Sequence, residues 1–221
     1  MELQLHVFNS FKIYQPKYGY HFSMEPFILT KDIGRYNNLK NIVDFGSGSG
    51  IISILLSKFL DKKTKIYAIE SNKNMAEIIE KNIELNSLHN IEVLQNITEI
   101  DKNSVDLIIS NPPYFNSNYR PSKKFYSEKF EKEGFEHCLS SFKGIIKNKG
   151  ILKISYHPTR MFEVMQKINN NGFGIKNICP VYGNRKNSAS FVIIESKFGA
   201  KNYIECRKAI YLDKDLTISI R

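Results

Sequence analysis

The sequence of 221 residues contains no tryptophan, few cysteines and no long apolar run. Cys138, Cys179 and Cys206 are far apart and form no CxxC pair, which argues against a zinc site and a disulfide framework. No apolar stretch approaches the roughly 20 residues that a membrane span requires, and the first residues, MELQLHVFNS, do not resemble a signal peptide. We therefore expect a cytoplasmic, globular protein that binds no metal and does not enter the membrane.

The positive charge of the chain is unevenly distributed. The formal net charge is +10, yet residues 1–110 carry 12 basic and 13 acidic side chains, whereas residues 141–210 carry 13 and 3. Enrichment in lysine and asparagine can reflect an AT-rich coding sequence, so the total charge is weak evidence for a nucleic-acid partner. Its segregation into one segment is better evidence, because it favours an anion-binding face.

From about residue 41, short β-branched runs alternate with longer amphipathic stretches. This alternation predicts repeated βαβ units, and hence an α/β fold with a mostly parallel sheet and helices on both faces. A polar turn at 183–188 predicts a C-terminal antiparallel hairpin. The predicted strands are 41–45, 65–70, 91–95, 105–110 and 150–157, the predicted helices are 51–60, 72–86, 129–148 and 159–171, and the predicted hairpin strands are 175–182 and 189–196.

The chain shows no internal repeat and no linker, which favours one main domain over residues 41–197. The aromatic-rich residues 1–40 are expected to cover the ligand-binding edge of the sheet, and residues 198–221 to pack on the same domain as an extension. Ligands of such sheets bind beyond the carboxyl ends of the strands. The loops that follow the first four predicted strands are therefore the candidate binding loops.

A glycine-rich loop follows the first predicted strand and contains Asp44, Gly46, Ser47, Gly48 and Gly50. Glycines at alternate positions allow a tight turn and a close approach of the backbone to a ligand. The spacing is G-x-G-x-G rather than the dinucleotide-binding G-x-G-x-x-G. The preceding carboxylate would repel phosphate and favours a cationic or amino-bearing ligand. Taken alone, the loop could also be a structural turn.

Glu70 ends the second predicted strand, 20 residues beyond Gly50, where an acidic side chain can accept both hydroxyls of a ribose. Together with the loop, it fits a nucleoside with a cationic tail, S-adenosylmethionine. In these features residues 41–197 resemble the Rossmann-like class I S-adenosylmethionine-dependent methyltransferases, which implies a mostly parallel seven-stranded sheet. In that family the next strand usually ends in an aspartate that contacts adenine; here Asn96 takes this position, and its amide oxygen can accept the same hydrogen bond.

The sequence Asn111-Pro112-Pro113-Tyr114 follows the fourth predicted strand and resembles the motif of methyltransferases that modify exocyclic or amide nitrogens. The Asn111 side-chain oxygen and the Pro112 carbonyl can accept both N–H groups of an amine, which frees its lone pair and stabilises the developing positive charge. Tyr114 can stack on an extruded base. The resemblance implies cofactor contacts from Asp44, Gly46, Ser47, Gly48, Gly50, Glu70, Asn96 and Asn111.

Three groups of methyltransferases share this motif but fit the rest of the chain less well. Release-factor glutamine methyltransferases carry a helical substrate domain before the glycine loop, whereas 43 residues precede Asp44 here. Guanine-N2 ribosomal RNA enzymes more often have phenylalanine at the last motif position and a duplicated domain. DNA adenine methyltransferases usually add a target-recognition domain, and the sequence shows no such segment.

A fourth group, the bacterial tRNA (adenine-N6)-methyltransferases that act on the adenine 3′ of the anticodon, resembles the chain more fully. The resemblance lies in the order of QPKYGYHFSMEPFILTKDI, DFGSGSGIISILL, EKNIELN, ISNPPYF and HPTR. After the motif that family often has an Arg-His-Glu-like cluster, where this chain has Phe-Tyr-Ser-Glu at 125–128. The resemblance implies methyl transfer to adenine N6 in a tRNA anticodon stem-loop, with Asn111, Pro112 and Tyr114 as the catalytic residues.

Two alternatives remain open: methyl transfer to another nitrogen target, and an RNA-binding module with a vestigial cofactor fold. The intact Asn111 motif argues against the second, because RNA binding alone does not need its acceptors. We expect a monomer or a weak homodimer. For the basic side chains near the predicted site, phosphate contact and ordinary solvent exposure are about equally credible; these residues are Arg120, Lys123, Lys124, Arg160, Arg185 and Lys186.

Overall fold

A β-sheet of nine strands, with helices on both faces, forms the centre of the described protein. The computed structural model describes residues 1–18, 21–112 and 127–212, with the backbone alone at 127–134 and 136. The strands are β1 (Leu3–Val7), β2 (Lys12–Pro16), β3 (Asn41–Phe45), β4 (Lys65–Ile69), β5 (Ile91–Leu94), β6 (Val105–Ser110), β7 (Ile146–Tyr156), β8 (Phe173–Tyr182), β9 (Phe191–Phe198), β10 (Glu205–Cys206) and β11 (Ile210–Tyr211). The helices are α1 (Glu25–Thr30), α2 (Ile51–Phe59), α3 (Lys73–Leu85), α4 (Ser127–Ile145) and α5 (Met161–Asn170). Within the described ranges, no helix has both the length and the hydropathy that a bilayer span needs.

The strand order of the sheet is β10-β8-β9-β7-β6-β3-β4-β5, and β11 also pairs with β8. β9 is antiparallel to its neighbours β7 and β8, and the remaining pairs are parallel. The predicted mostly parallel sheet of seven strands with a C-terminal hairpin is therefore confirmed, and two short strands widen it to nine. β3 to β8 and β11 all end at one edge of the sheet, which we call the carboxyl edge.

The central strand β6 is apolar because both of its faces are covered. Its residues Val105, Leu107, Ile108 and Ile109 are completely buried. On one face the sheet packs against α4 and α5. On the other face it packs against α2 and against the N-terminal segment, residues 1–40, through α1 and through Phe11 and Ile13. Burial of this kind stabilises the fold by roughly 25 cal/mol for each Å² of apolar surface removed from water, so the rigid centre of the sheet can hold loops at its carboxyl edge.

The predicted boundary between the third predicted helix, 129–148, and the fifth predicted strand, 150–157, is wrong, because the helix ends three residues earlier and the strand begins four residues earlier. Helix α4 ends at Ile145, and β7 begins at Ile146, which the sequence assigns to the helix. Ile146 is buried and pairs with Val105, and the next pairs of this ladder begin at Ile151, so the intervening residues form a bulge. A Cβ at Gly150 would lie 2.5 Å from Ile146 Cγ1, and glycine therefore permits the bulge. The apolar spacing around Ile146 is compatible with a helix and with a strand, and the pairing of Ile146 with Val105 selects the strand.

A buried cluster of charged and polar side chains fastens the N-terminal segment to the sheet. Lys153 on β7 and Glu195 on β9 lie opposite each other and are 3% and 5% exposed. The Glu195 carboxylate accepts hydrogen bonds from Arg35 and from the Tyr36 hydroxyl, the latter at 2.7 Å. The Lys153 ammonium lies 6.0 Å from the centre of the Tyr36 ring. Burial, reinforced by Arg35, lowers the pKa of Lys153 to about 8.

The lowered pKa of Lys153 makes the stability of the fold depend on pH. In the unfolded chain this amine titrates at its ordinary value of 10.5, so between pH 8 and 10.5 the unfolded state binds more protons than the folded state. Folding stability should therefore rise with pH in this range. We expect Lys153→Met to remove the rise, as measured by urea unfolding between pH 7.5 and 9.5, whereas Lys143→Met, at an exposed position, should retain it. A rise of the same size in Lys153→Met would contradict the prediction.

Candidate active site

A cleft lies at the carboxyl edge, where the loops after β3 and β6 meet the N-terminal segment. The loop residues 46–49 form one wall, and Met75 of α3 and Asn111 after β6 contribute to the others. Gln15 and Phe22 line the cleft from the N-terminal side. A larger and more open groove beside the edge strand β5 contains none of the predicted site residues. The cleft at the carboxyl edge is therefore the candidate site.

The three glycines of the loop adopt a left-handed backbone, with φ of 75° at Gly46, 59° at Gly48 and 83° at Gly50. At Gly50 an added Cβ would lie 3.0 Å from Ile79 Cγ2, because α3 packs directly on the loop. At Gly48 an added Cβ would meet no atom within 4 Å. Since Gly48 lines the cleft, a side chain there would take up space that the loop leaves open for a ligand.

Glu70, the residue that follows β4, is 9% exposed and is tied to the glycine loop. One carboxylate oxygen accepts a hydrogen bond from the Gly48 amide and the other from the Asn72 amide, both at 2.9 Å. Burial raises the pKa of Glu70, and the two amides oppose this rise. Because each carboxylate oxygen accepts more than one hydrogen bond, Glu70 can hold the loop and still accept the hydroxyls of a ligand.

Asp44 is completely buried beneath the loop and does not line the cleft. Its Oδ2 accepts hydrogen bonds from the backbone amide and the hydroxyl of Ser53, at 3.1 and 2.7 Å, in the first turn of α2. Its Oδ1 has no hydrogen-bond partner among the described residues. Burial raises the pKa of Asp44 to about 7. The predicted carboxylate is thus present, and one of its oxygens keeps an unused capacity to accept a hydrogen bond.

Asn111 follows β6 directly and reaches the cleft. Its side-chain oxygen accepts a hydrogen bond from the hydroxyl of Ser155, a completely buried residue of the neighbouring strand β7. This contact fixes the orientation of the Asn111 carboxamide. Pro112 is buried, whereas Pro113 and Tyr114 lie outside the described residues. The sequence around Ser155, KISYH, contains no signal that would have identified it as a site residue.

Asn96 lies after β5 and is exposed. Its side-chain oxygen accepts a hydrogen bond from the Thr98 amide at 3.1 Å, and its own amide donates to the Glu99 carboxylate at 2.9 Å, so it caps a short 3₁₀ helix. Asn96 does not line the cleft. Of the predicted cofactor residues, the structure therefore brings the glycine loop and Asn111 together in the cleft. Glu70 and Asp44 are buried behind the loop and do not line the cleft, and Asn96 lies at the periphery.

The predicted RNA-binding residues occupy two different environments. Both Nε and Nη2 of Arg160 donate to the Glu163 carboxylate at 3.1 Å, an ion pair that helps to lower the pKa of Glu163 to about 2. Arg185 and Lys186 lie in the exposed turn between β8 and β9, at the carboxyl edge. The predicted residues Arg120, Lys123 and Lys124 lie outside the described residues. Among the described side chains, no group of three or more His, Cys, Asp or Glu could hold a metal ion.

Strands β1 and β2 pair antiparallel and form an N-terminal hairpin, and Asn82 of α3 links this hairpin to the glycine loop, a role that the sequence did not indicate. The buried carboxamide donates to the Ser49 carbonyl at 2.9 Å and to the Tyr14 carbonyl at 3.0 Å, and accepts from the Tyr14 amide at 2.7 Å. Asn86, one helical turn later, pairs with both backbone groups of Lys12 in the same way but does not contact the loop. Two asparagines at i and i+4 on one helix face are the signal that could have revealed this docking.

The fold is that of the S-adenosylmethionine-dependent methyltransferases. A crystal structure of a "predicted O-methyltransferase" from Agrobacterium tumefaciens aligns with a TM-score of 0.71 and 18% identity, over 90% of this chain and 92% of that one. The structure of TYW2 from M. jannaschii, solved in complex with AdoMet, aligns with a TM-score of 0.60 and 19% identity, over 88% and 85% of the two chains. At these identities the likeness concerns the fold.

Sequence comparisons find relatives of higher identity than these two solved structures. Residues 28–134 match the family model described as "Methyltransferase small domain". A release factor glutamine methyltransferase from Fusobacterium nucleatum is 26% identical over 193 residues, or 81% of this chain and 52% of that protein. A tRNA1(Val) (adenine(37)-N6)-methyltransferase from Pseudoalteromonas translucida is 26% identical over 156 residues, or 67% of each chain. The chain thus resembles both groups, and it spans about half the length of the first relative.

The link through Asn82 predicts that the hairpin and the glycine loop act together in cofactor binding. Asn82→Ala removes the contact with Ser49 as well as those with Tyr14, and we expect it to weaken S-adenosylmethionine binding about tenfold, the effect of a lost buried hydrogen bond. Asn86→Ala removes a similar hairpin contact but leaves the loop intact, so the affinity should change less than about threefold. Calorimetric titration measures both affinities. Equal losses in the two variants would contradict a role for the Asn82–Ser49 contact.

Proposed function

We propose that the protein transfers a methyl group from S-adenosylmethionine to the N6 of an adenine in RNA, and that this adenine lies 3′ of the anticodon in a tRNA. The observation that carries the proposal is the Asn111 carboxamide, oriented by Ser155 in the same cleft as the glycine loop. The match to tRNA1(Val) (adenine(37)-N6)-methyltransferases supports the choice of target.

The cleft and the carboxylates buried behind its glycine loop fit S-adenosylmethionine. Glu70 can accept the ribose hydroxyls while it holds the loop through Gly48. Gly48 leaves open space where another residue would place a side chain. Asp44, completely buried beneath the loop with Oδ1 unpartnered among the described residues, would favour the cationic end of the cofactor through its charge rather than through a direct contact. When bound, S-adenosylmethionine supplies an electrophilic methyl group on a sulfonium.

Asn111 prepares the target nitrogen for methylation. The lone pair of an adenine amino group is delocalised into the ring, which makes it a poor nucleophile. The Asn111 oxygen retains a lone pair beyond the one that Ser155 occupies, and it can accept an N–H of this amine. We assign the second N–H to the Pro112 carbonyl. Both acceptors stabilise the positive charge that develops on nitrogen as the N–C bond forms and the bond from methyl to sulfur breaks, a stabilisation that is larger in the transition state than in the ground state. The electron pair of the broken bond stays on sulfur, which becomes a neutral thioether, and the methylated nitrogen then loses one proton to water.

The charge distribution supports an RNA target over a protein target. The segment 141–210 carries 13 basic and 3 acidic side chains, and it includes the turn with Arg185 and Lys186 at the carboxyl edge. An RNA backbone is neutralised by such a surface. An unpaired loop is also a suitable substrate, because its bases can enter a pocket without the disruption of a duplex. A release-factor glutamine would present a similar amide nitrogen, and it is therefore the competing acceptor in the experiment below.

The role of Ser155 can be separated from that of the cofactor site. Ser155→Ala removes the hydroxyl that orients Asn111, and we expect the turnover number to fall about tenfold or more while the affinity for S-adenosylmethionine stays unchanged. Ser196→Ala is the matched control, because Ser196 is also completely buried, but its hydroxyl donates to the Leu152 carbonyl. Single-turnover kinetics and calorimetry distinguish the two effects. Equal turnover in the two variants would refute the positioning role.

A labelling experiment tests the proposed function directly. The purified protein is incubated with methyl-labelled S-adenosylmethionine and, separately, with total tRNA, ribosomal RNA or a release factor. We expect label in tRNA, recovered as N6-methyladenosine at the position 3′ of an anticodon. Asn111→Ala should abolish the labelling and leave cofactor affinity largely intact, because its amide acts on the target nitrogen.

Each other result has a definite meaning. Label in the release factor but not in RNA would overturn the RNA target and favour the glutamine acceptor. Undiminished labelling by Asn111→Ala would overturn the proposed catalytic role of this residue. Labelling of none of the acceptors, with RNA binding retained, would favour a non-catalytic RNA-binding module.

A further inference from the structure

Two tyrosines and an arginine form a stacked column at the carboxyl edge, beyond the candidate active site. The rings of Tyr182 and Tyr211 are 5.3 Å apart and inclined by 21°, and the Arg185 guanidinium lies over the Tyr211 ring at 5.1 Å. We call these three residues the stacked column. It arises from the register of β8 and β11, which places Tyr182 and Tyr211 directly opposite each other at the ends of parallel strands. Adjacent parallel strands bring such rings within stacking distance.

The position of the stacked column relates it to the cleft. β6 and β8 both end at the carboxyl edge and are separated in the sheet by β7 and β9. With neighbouring strands about 4.8 Å apart, β8 lies roughly 14 Å from β6 across the sheet. The pairing of Ser110 with Ile154, Ile194 and Ile178 places the end of β8 at Tyr182 four residues further along, so it lies roughly 19 Å from the end of β6, which Asn111 follows. An RNA strand whose adenine occupies the cleft therefore reaches the stacked column within a few nucleotides.

The chemistry of the stacked column fits a nucleobase. Arg185 is exposed, and among the residues that the structure describes no carboxylate forms an ion pair with it, in contrast to Arg160. A guanidinium held over an aromatic ring presents a planar, cationic outer surface. Unpaired bases stack on arginine planes and aromatic rings, and the positive charge offsets the adjacent phosphates. A ligand that only bound through phosphate would not require the two tyrosines.

We propose that the stacked column binds an unpaired base of the RNA substrate that flanks the methylated adenine, with Arg185 as the contact surface and Tyr182 and Tyr211 as its support. The inference rests on the proposed RNA target and extends it, because it assigns recognition of a neighbouring nucleotide to a place outside the cleft. The stacked column would thereby hold the loop in register while the adenine occupies the site.

The conservative change Arg185→Lys tests the proposal, because it keeps the charge and removes the planar group. With a synthetic anticodon stem-loop, we expect Arg185→Lys to weaken binding about tenfold without changing the slope of the salt dependence. Tyr211→Leu should weaken binding to a similar extent, since it removes the support of the guanidinium. Lys186→Ala, in the same turn, should instead reduce the salt slope by about one unit.

An abasic scan of the RNA loop identifies the stacked base. When the base that contacts Arg185 is absent, Arg185→Lys should bind as well as the wild-type protein, within about twofold. Wild-type affinity of Arg185→Lys for the intact stem-loop, or the same loss at every abasic position, would overturn the stacking role while the proposed function stands. Failure of the wild-type protein to bind any RNA stem-loop would overturn both proposals.

Discussion

Parallel pairing of β3 with β4 and β6 is the constraint on which the site depends. Because the carboxyl ends of parallel strands meet at one edge, residues from three separate loops converge there. The register places Phe45 opposite Ile69 and Ser110, so the glycine loop, Glu70 and Asn111 follow neighbouring strand ends. Hydrogen bonds then join the loops to one another, as Glu70 does with Gly48.

Hydrogen bonds of two asparagine side chains, the buried Asn82 and the half-buried Asn111, extend this arrangement beyond the sheet. A carboxamide carries both an acceptor and two donors, so it can pair with a backbone as another strand would. Asn82 does this for the hairpin and also holds the glycine loop, whereas Asn111 is itself held by the buried Ser155. Each such hydrogen bond contributes about 1 kcal/mol net, but leaving a buried partner unpaired costs more, which makes the arrangement specific. The N-terminal segment thus contributes to the cleft through polar contacts as well as apolar packing.

Much of the site could be predicted because the roles of its residues depend on their own chemical type and on their position next to a strand end. The glycine spacing, the acidic end of β4 and the motif at Asn111 each require a particular residue type at a particular strand end. Ser155 and the stacked column could not be predicted in this way, because their roles depend on which strand lies beside which. The boundary at Ile146 was missed for the same reason: its pairing with Val105 is a long-range contact that no local pattern records.

The sequence by itself determined the alternation of strands and helices, the parallel sheet that follows from it and the nature of the loops at its carboxyl edge. Hydrophobic periodicity and glycine conformation are properties of a few neighbouring residues, so they can be read without the fold. The tertiary structure alone decided that Asp44 is buried with one oxygen unpaired among the described residues, that Arg160 is paired with Glu163 and that Arg185 lies over Tyr211. The burial of a charged side chain and its ion-pair partners depend on residues distant in the chain. They determine whether the charge stabilises the fold or remains accessible to a ligand.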